Sequence, residues 1–74
     1  MEPINNLDEF IIWLRNASTE ILHDGVYIRE SIRVVFLLRM QNRVELRDHT
    51  YLTVDWEYAG SQVWRAHKRI NHTP

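Results

Sequence analysis

A chain of 74 residues with a formal net charge of −1 is long enough for one domain only, and it contains no cysteine. Disulfides and thiolate metal sites are therefore excluded, and the lack of thiols indicates either a reducing compartment or a protein indifferent to redox conditions. Hydrophobic residues make up 45% of the chain and charged residues 26%, a balance that predicts a folded domain. Because a domain of this size buries only about 60% of its unfolded surface, a homodimer would be a natural way to bury more.

The beginning of the sequence predicts no targeting or membrane segment. Residues Met1–Asn6 contain no basic region before an apolar run, and the longest unbroken apolar run, Val34–Leu38, is far too short to cross a bilayer. We therefore expect a single domain over residues 1–74, located in the cytoplasm and without a membrane partner.

The first predicted element is a helix over residues 6–22. Apolar residues recur there at steps of three and four: Ile4, Leu7, Phe10, Ile11 and Leu14. Asn6 is a good N-cap, and Glu9 follows at the spacing of a capping box. Trp13 widens the apolar face of this helix. We interpret it as packed in the core or, alternatively, as a residue that faces a partner.

Residues 26–38 are predicted to form a strand, because most of them are β-branched or aromatic. A helix also fits this stretch, since apolar residues recur at helical spacing between Ile28 and Phe36. We favour the strand because the apolar run is short and the next segment offers a partner. Met40–Arg43 would be the hairpin turn, and Arg43–Asp48 alternates strictly between apolar and charged residues, as a half-buried strand does.

Two further strands complete the predicted fold. Tyr51–Glu57 alternates again, with its apolar residues on one face, and Ala59–Ser61 is the next turn. Gln62–Ile70 fits a strand or a helix, and we favour a strand because it would close a hairpin with the preceding one. The predicted fold class is α+β, an N-terminal helix packed on a three- to four-stranded antiparallel sheet, in which the last element is a strand or a helix.

No motif in the sequence predicts a cofactor or a metal. The two glycines, Gly25 and Gly60, are too far apart for a glycine-rich phosphate loop. The nearest histidine pair, His67 and His72, suits neither one face of a helix nor one side of a strand. We expect no cofactor and no metal. Acid–base catalysis by His49 and its neighbours stays open, so that enzyme activity is uncertain and the less favoured interpretation.

The candidate binding residues lie in the last element: Trp64, Arg65, His67, Lys68 and Arg69. This stretch is the most basic in the chain and contains no acid. Basic residues beside an aromatic suit backbone phosphates with a stacked base, and they suit an acidic protein surface equally well. A solvated strand with its tryptophan in the core explains the same pattern without any partner.

Four segments carry a resemblance to a known family: Ile32–Leu38, Val44–Asp48, Val54–Tyr58 and Val63–His72. Their layout resembles the TumE-like toxins of bacterial toxin–antitoxin pairs, which have an N-terminal helix, a strand hairpin, an aromatic strand and a polar end that contains histidine. Where that family tends to have an Asp-Gly turn, this chain has Gln41-Asn42. Only Arg65 and His72 match residues of the family, so the resemblance implies mobile-element biology without implying a catalytic set.

The interpretation that we favour is a small non-enzymatic interaction protein. It would bind and inhibit a larger host protein or complex, as small inhibitors carried by phages and other mobile elements do. Arg65, Lys68 and Arg69 would form the contact, with Trp64 or Trp13 as the interface anchor, because tryptophan and arginine dominate interface hot spots.

Two other interpretations remain open. One is an RNA-directed toxin or nucleic-acid-binding protein of a toxin–antitoxin pair, in which His67 would move a proton while Arg65 and Arg69 stabilise charge on the phosphate, with His49 as a further candidate. The other is a purely structural subunit of a larger assembly.

Overall fold

The computed structural model describes residues 2–16, 25–46 and 48–73. Its elements are, in chain order, α1 (Leu7–Arg15), β1 (Val26–Arg29), α2 (Glu30–Arg39), β2 (Arg43–Glu45), β3 (Thr50–Gly60) and β4 (Val63–His72). The four strands form one sheet in the order β1-β4-β3-β2, and every neighbouring pair is antiparallel. The predicted α+β fold class and antiparallel sheet are confirmed.

Helix α1 begins where the capping residue predicts. The side chain of Asn6 accepts hydrogen bonds from the backbone N–H groups of Asp8 at 2.8 Å and Glu9 at 3.4 Å. These two bonds satisfy donors that the first helical turn would otherwise leave unpaired. Residues 17–22 of the predicted helix lie outside the described residues.

The predicted strand over residues 26–38 is wrong beyond Arg29, since the chain turns there into α2. A strand made of consecutive apolar residues needs cover on both faces, and the described helices cover one face of this sheet. A helix instead buries Ile32 and Phe36, four residues apart, and places Val34, Leu37 and Leu38 at its surface. The N-terminus of α2 lies against the last hairpin, because the Glu30 N–H donates to the carbonyl of Gln62 at 2.9 Å.

The predicted hairpin turn at Met40–Arg43 is therefore also wrong. Met40 is the C-cap of α2, and the chain continues from there into β2. Strand β2 is shorter than predicted and ends at Glu45, while Arg47 lies outside the described residues. The alternation that predicted this strand is confirmed, since Val44 packs against the core between two exposed residues.

Strands β3 and β4 form the long hairpin that supports the other elements. The preference for a strand over a helix at Gln62–Ile70 is confirmed, since β4 pairs with β3 along its whole length. A two-residue turn, Ser61-Gln62, joins the strands slightly later than the predicted turn at Ala59–Ser61, and both of its residues have positive φ, at 53° and 60°. Positive φ at both central positions matches the right-handed twist of the strands but costs energy for residues other than glycine.

One edge of the sheet is covered by the segment before α1. Ile4 forms a parallel bridge with Ile28, in which its N–H donates to the Tyr27 carbonyl at 2.8 Å and its carbonyl accepts from the Arg29 N–H at 3.0 Å. A single bridged residue therefore extends the sheet beyond β1.

The core lies between the helices and one face of the sheet. Its buried hydrophobic residues are Phe10, Leu14, Ile28, Ile32, Phe36, Leu52, Val54 and Ala66. At its centre the rings of Phe10 and Phe36 meet edge to face, with centroids 5.0 Å apart, and Trp56 lies 5.7 Å from Phe10. The predicted inward face of β3, which carries Leu52, Val54 and Trp56, is confirmed.

We predict that replacing the last turn by Asn-Gly stabilises the protein. The double change Ser61→Asn with Gln62→Gly removes the cost of left-handed backbone and keeps the Gln62 carbonyl that binds α2. The free energy of unfolding should rise by about 1 kcal/mol, measured by urea denaturation. As a control, Gly60→Ala should lower it, because Gly60 has a φ of 93°. An Asn-Gly variant no more stable than the parent would show that the left-handed backbone of this turn carries no such cost.

Candidate functional site

Strand β4 divides the predicted basic site between the two faces of the sheet. Successive side chains of a strand point to opposite faces, and Ala66 is fully buried beneath the helices. Trp64 and Lys68 therefore lie on the helix side with Ala66, whereas Arg65, His67 and Arg69 lie on the other side, which we call the open face. The five residues do not form one contact surface.

The open face is polar, and its carboxylates lie beside its bases. Arg69 is 3.8 Å from the Asp55 carboxylate, and His67 is 3.8 Å from that of Glu57. Arg65 lies over the ring of Tyr27, with 5.4 Å between its guanidinium carbon and the ring centroid. The Arg69–Asp55 ion pair is exposed, so it contributes about 0–1 kcal/mol to stability.

A further base on the open face follows the same pattern. Arg43 of β2 is 2.7 Å from the Glu45 carboxylate, and its guanidinium carbon lies 3.6 Å from the ring centroid of Tyr51. Acids thus alternate with arginines across the face. A surface of this kind attracts polyanions less strongly than the basic run in the sequence indicates.

Trp64 joins β4 to the first turn of α2. Its indole N–H donates to the Glu30 carboxylate, and the guanidinium carbon of Arg33 lies 3.8 Å from its ring centroid. Arg33 and Glu30 are themselves 3.6 Å apart. The tryptophan predicted as a partner anchor is therefore held by two side chains of its own chain.

Trp13 and Lys68 contact each other on the helix side. The Lys68 ammonium lies 4.2 Å from the Trp13 ring centroid, and Trp13 stacks on Phe10 with centroids 5.7 Å apart. Burial against these groups lowers the pKa of Lys68 below its ordinary value of 10.5. The second predicted anchor thus has a packing role in the domain.

His49 and His72 lie together at one end of the sheet. His72 pairs with Thr50 in the strand register, and the Thr73 N–H donates to the carbonyl of His49 at 2.9 Å. His67 lies opposite Asp55, five residues from this end, which is roughly 16 Å along a strand. His49 and His67 therefore do not meet at one phosphate.

The outer face of α2 carries Leu38, the most exposed large hydrophobic residue of the described chain, and the sequence did not single this face out. It consists of Val34, Leu37 and Leu38, with exposed fractions of 38%, 40% and 78%. Leu37 and Leu38 lie three and four positions after Val34, so the three residues share one side of the helix. The spacing was present in the sequence, but assigning the segment to a strand concealed it.

A groove opens beside α2, between the C-terminal ends of α1 and α2 and strand β2. Its volume is about 360 Å³. The apolar part is formed by Ile11, Leu14, Phe36, Met40 and Val44, and the polar part by Arg15, Arg39, Gln41 and Arg43. Met40 is also exposed, so the groove opens to solvent next to the last turn of α2.

The comparisons with other proteins give no identity for this chain. No family model, no curated protein and no solved structure matches it. Within the described ranges, no three side chains of the ligating types come close enough together to hold a metal ion. None of the helices in those ranges has the length and hydrophobicity needed to span a bilayer.

The contact of Trp64 with Glu30 predicts a measurable coupling. Trp64→Phe removes the N–H donor and should lower the free energy of unfolding by about 1–2 kcal/mol, because the lost bond goes to a charged acceptor. Glu30→Ala should lower the free energy of unfolding less when the Trp64→Phe change is already present. Urea denaturation of the two single variants and the double variant should give a coupling energy of about 1 kcal/mol. Strictly additive costs would show that the two side chains do not stabilise each other.

The lowered pKa of Lys68 predicts a specific pH dependence of the folding stability. Because its folded pKa lies below the unfolded value, the charged lysine lowers stability at neutral pH, and this loss disappears as the pH rises to 10.5. It is the only lysine in the sequence, so reductive methylation with ¹³C-formaldehyde labels one side chain and the N-terminal amine. Titration by NMR should give a pKa lower in the native protein than in urea. The Lys68→Arg variant assigns the signal, and equal values in both states would contradict the prediction.

Proposed function

We propose that the chain is a non-enzymatic protein-binding module that docks on a larger protein through the outer face of α2. In this proposal it inhibits that protein by covering a working surface, as a small inhibitor of a host machine does. The observation that carries the proposal is the exposure of Leu38, at 78%, beside Leu37 and Val34 on one side of the same helix.

The burial that this exposed surface still offers supports a role in binding. Full burial of one leucine side chain is worth about 1.5–3 kcal/mol, and a domain of this size has little stability to spare. Contiguous apolar surface of this kind is typical of sites at which another protein binds. Met40, which lines the groove and is itself exposed, follows Leu38 by two residues at the end of the same helix.

The predicted contact at Arg65 and Arg69 becomes a competing surface in this proposal. Both residues lie on the open face, away from α2, and Arg69 already has a carboxylate 3.8 Å away. A partner that binds there would exchange exposed ion pairs for new ones, which brings little affinity. The outer face of α2 offers apolar burial instead.

Nucleic-acid binding is the second candidate, and it would use the open face. Tyr27 and Tyr51, each with an arginine over its ring, resemble a stacking platform for bases. However, the carboxylates of Glu45, Asp55 and Glu57 stand beside the bases of this face and would repel phosphate. The charge pattern therefore favours a protein partner over a nucleic acid.

We predict that Leu38→Glu abolishes partner binding without unfolding the protein. The side chain is exposed, so the charge costs the fold little, but it would have to be buried in the complex. A tagged chain should recover a stoichiometric partner from nuclease-treated host lysate, and Leu38→Glu should lose it. Ile12→Glu is the matched control, because Ile12 is an exposed aliphatic residue on the other helix and should keep the partner.

Three results would contradict the proposal. Loss of the partner in Arg65→Glu with Arg69→Glu, but not in Leu38→Glu, would assign the contact to the open face. Recovery of nucleic acid that leaves as salt rises would favour the second candidate. A dimer in sedimentation that Leu38→Glu converts to monomer, with no other partner, would make the outer face of α2 an interface between copies.

A further inference from the structure

Two arginines line the groove beside α2. Arg15 lies in the last turn of α1, and Arg39 lies in the last turn of α2. Among the described residues, neither has a carboxylate within ion-pair distance, whereas Arg43, whose side chain lies on the open face, is bound to Glu45. The groove thus has two cations available for an incoming anion.

The helix dipole explains part of this arrangement. A cation in the last turn of a helix offsets the partial negative charge of the free carbonyl groups there, and each arginine does this for its own helix. The dipole does not explain why the two helix ends converge on one groove of about 360 Å³. Cavities of this size, lined by apolar groups with a few polar ones, are typical binding sites.

We propose that this groove receives an apolar side chain from an acidic segment of the partner, while carboxylates of that segment bind Arg15 and Arg39. The inference rests on the proposed protein-binding function and names the chemistry of the partner. Planar guanidinium groups bind carboxylates through paired hydrogen bonds, which gives orientation as well as attraction. The accessible apolar part of the groove, made of Ile11, Met40 and Val44, would contact that side chain, while Leu14 and Phe36 lie buried beneath it.

Charge complementarity distinguishes this partner from a second copy of the chain. In a symmetric dimer whose two-fold axis passes through the groove, Arg15 and Arg39 of each copy would lie close to the same arginines of the other. Like charges across an interface cost several kcal/mol. An acidic segment of another protein supplies the opposite charge and the apolar group together.

The first experiment selects displayed random peptides of about 12 residues on the full-length chain. Enriched sequences should combine a large apolar residue with aspartate or glutamate, and their binding should weaken as salt rises. Fluorescence anisotropy of the synthetic peptides should show at least about tenfold weaker binding to the variant Arg15→Glu with Arg39→Glu. Arg65→Glu with Arg69→Glu changes the net charge equally and should bind like the parent.

A milder pair of changes controls for folding. Arg15→Gln with Arg39→Gln places no acid at a helix C-terminus, so its thermal unfolding should match that of the parent more closely. It should still weaken peptide binding. Failure of any peptide to enrich, enrichment of neutral or basic peptides, or equal loss in both double charge reversals would overturn the inference.

Recovery of the partner from lysate by these variants distinguishes a failure of this inference from a failure of the proposed function on which it rests. If the partner is lost by Leu38→Glu but kept by Arg15→Gln with Arg39→Gln, the module binds protein and the groove is not involved. If all these variants keep the partner, the proposed docking surface itself is wrong. If both lose it while Ile12→Glu keeps it, the groove and the outer face of α2 act as one site.

Discussion

The edge-to-face contact between Phe10 and Phe36 is the interaction on which the rest of the structure depends. Both rings are fully buried, and each also contacts Trp56 of the sheet. The three residues come from α1, α2 and β3, so one cluster fixes both helices to the hairpin. A chain of this length has room for a single core. The groove and the outer face of α2 therefore keep their relative positions only while this cluster is packed.

Local sequence patterns predicted the parts of the fold in which the apolar residues repeat with a single period, either that of a helix or that of a strand. The capping residue Asn6 placed the start of α1, and strict alternation placed β3 together with its inward face. The prediction of a strand failed for residues 30–38, because β-branched residues favour a strand while the spacing of Ile32 and Phe36 fits a helix. Only the tertiary arrangement decides between these periods, since the described helices cover one face of the sheet and leave no place for a strand buried on both.

The candidate site was harder to predict than the fold, because a contiguous basic run does not imply a contiguous surface. Once β4 is a strand, Arg65 and Lys68 must point to opposite faces, so the predicted site could have been divided from the sequence alone. The groove could not have been found in this way. Arg15 and Arg39 are distant in the sequence and come together only because two helix ends converge.

The bridge between Ile4 and Ile28 has a consequence for solubility. Beyond β1 the backbone of the sheet would present unpaired N–H and carbonyl groups, which are a template for pairing with other chains. Within the described part of the chain, one residue of the preceding segment occupies this edge. Removing or displacing that segment would expose a strand that contains Tyr27 and Ile28. Aggregation through strand addition would then compete with folding, even where the helices and the core stay intact.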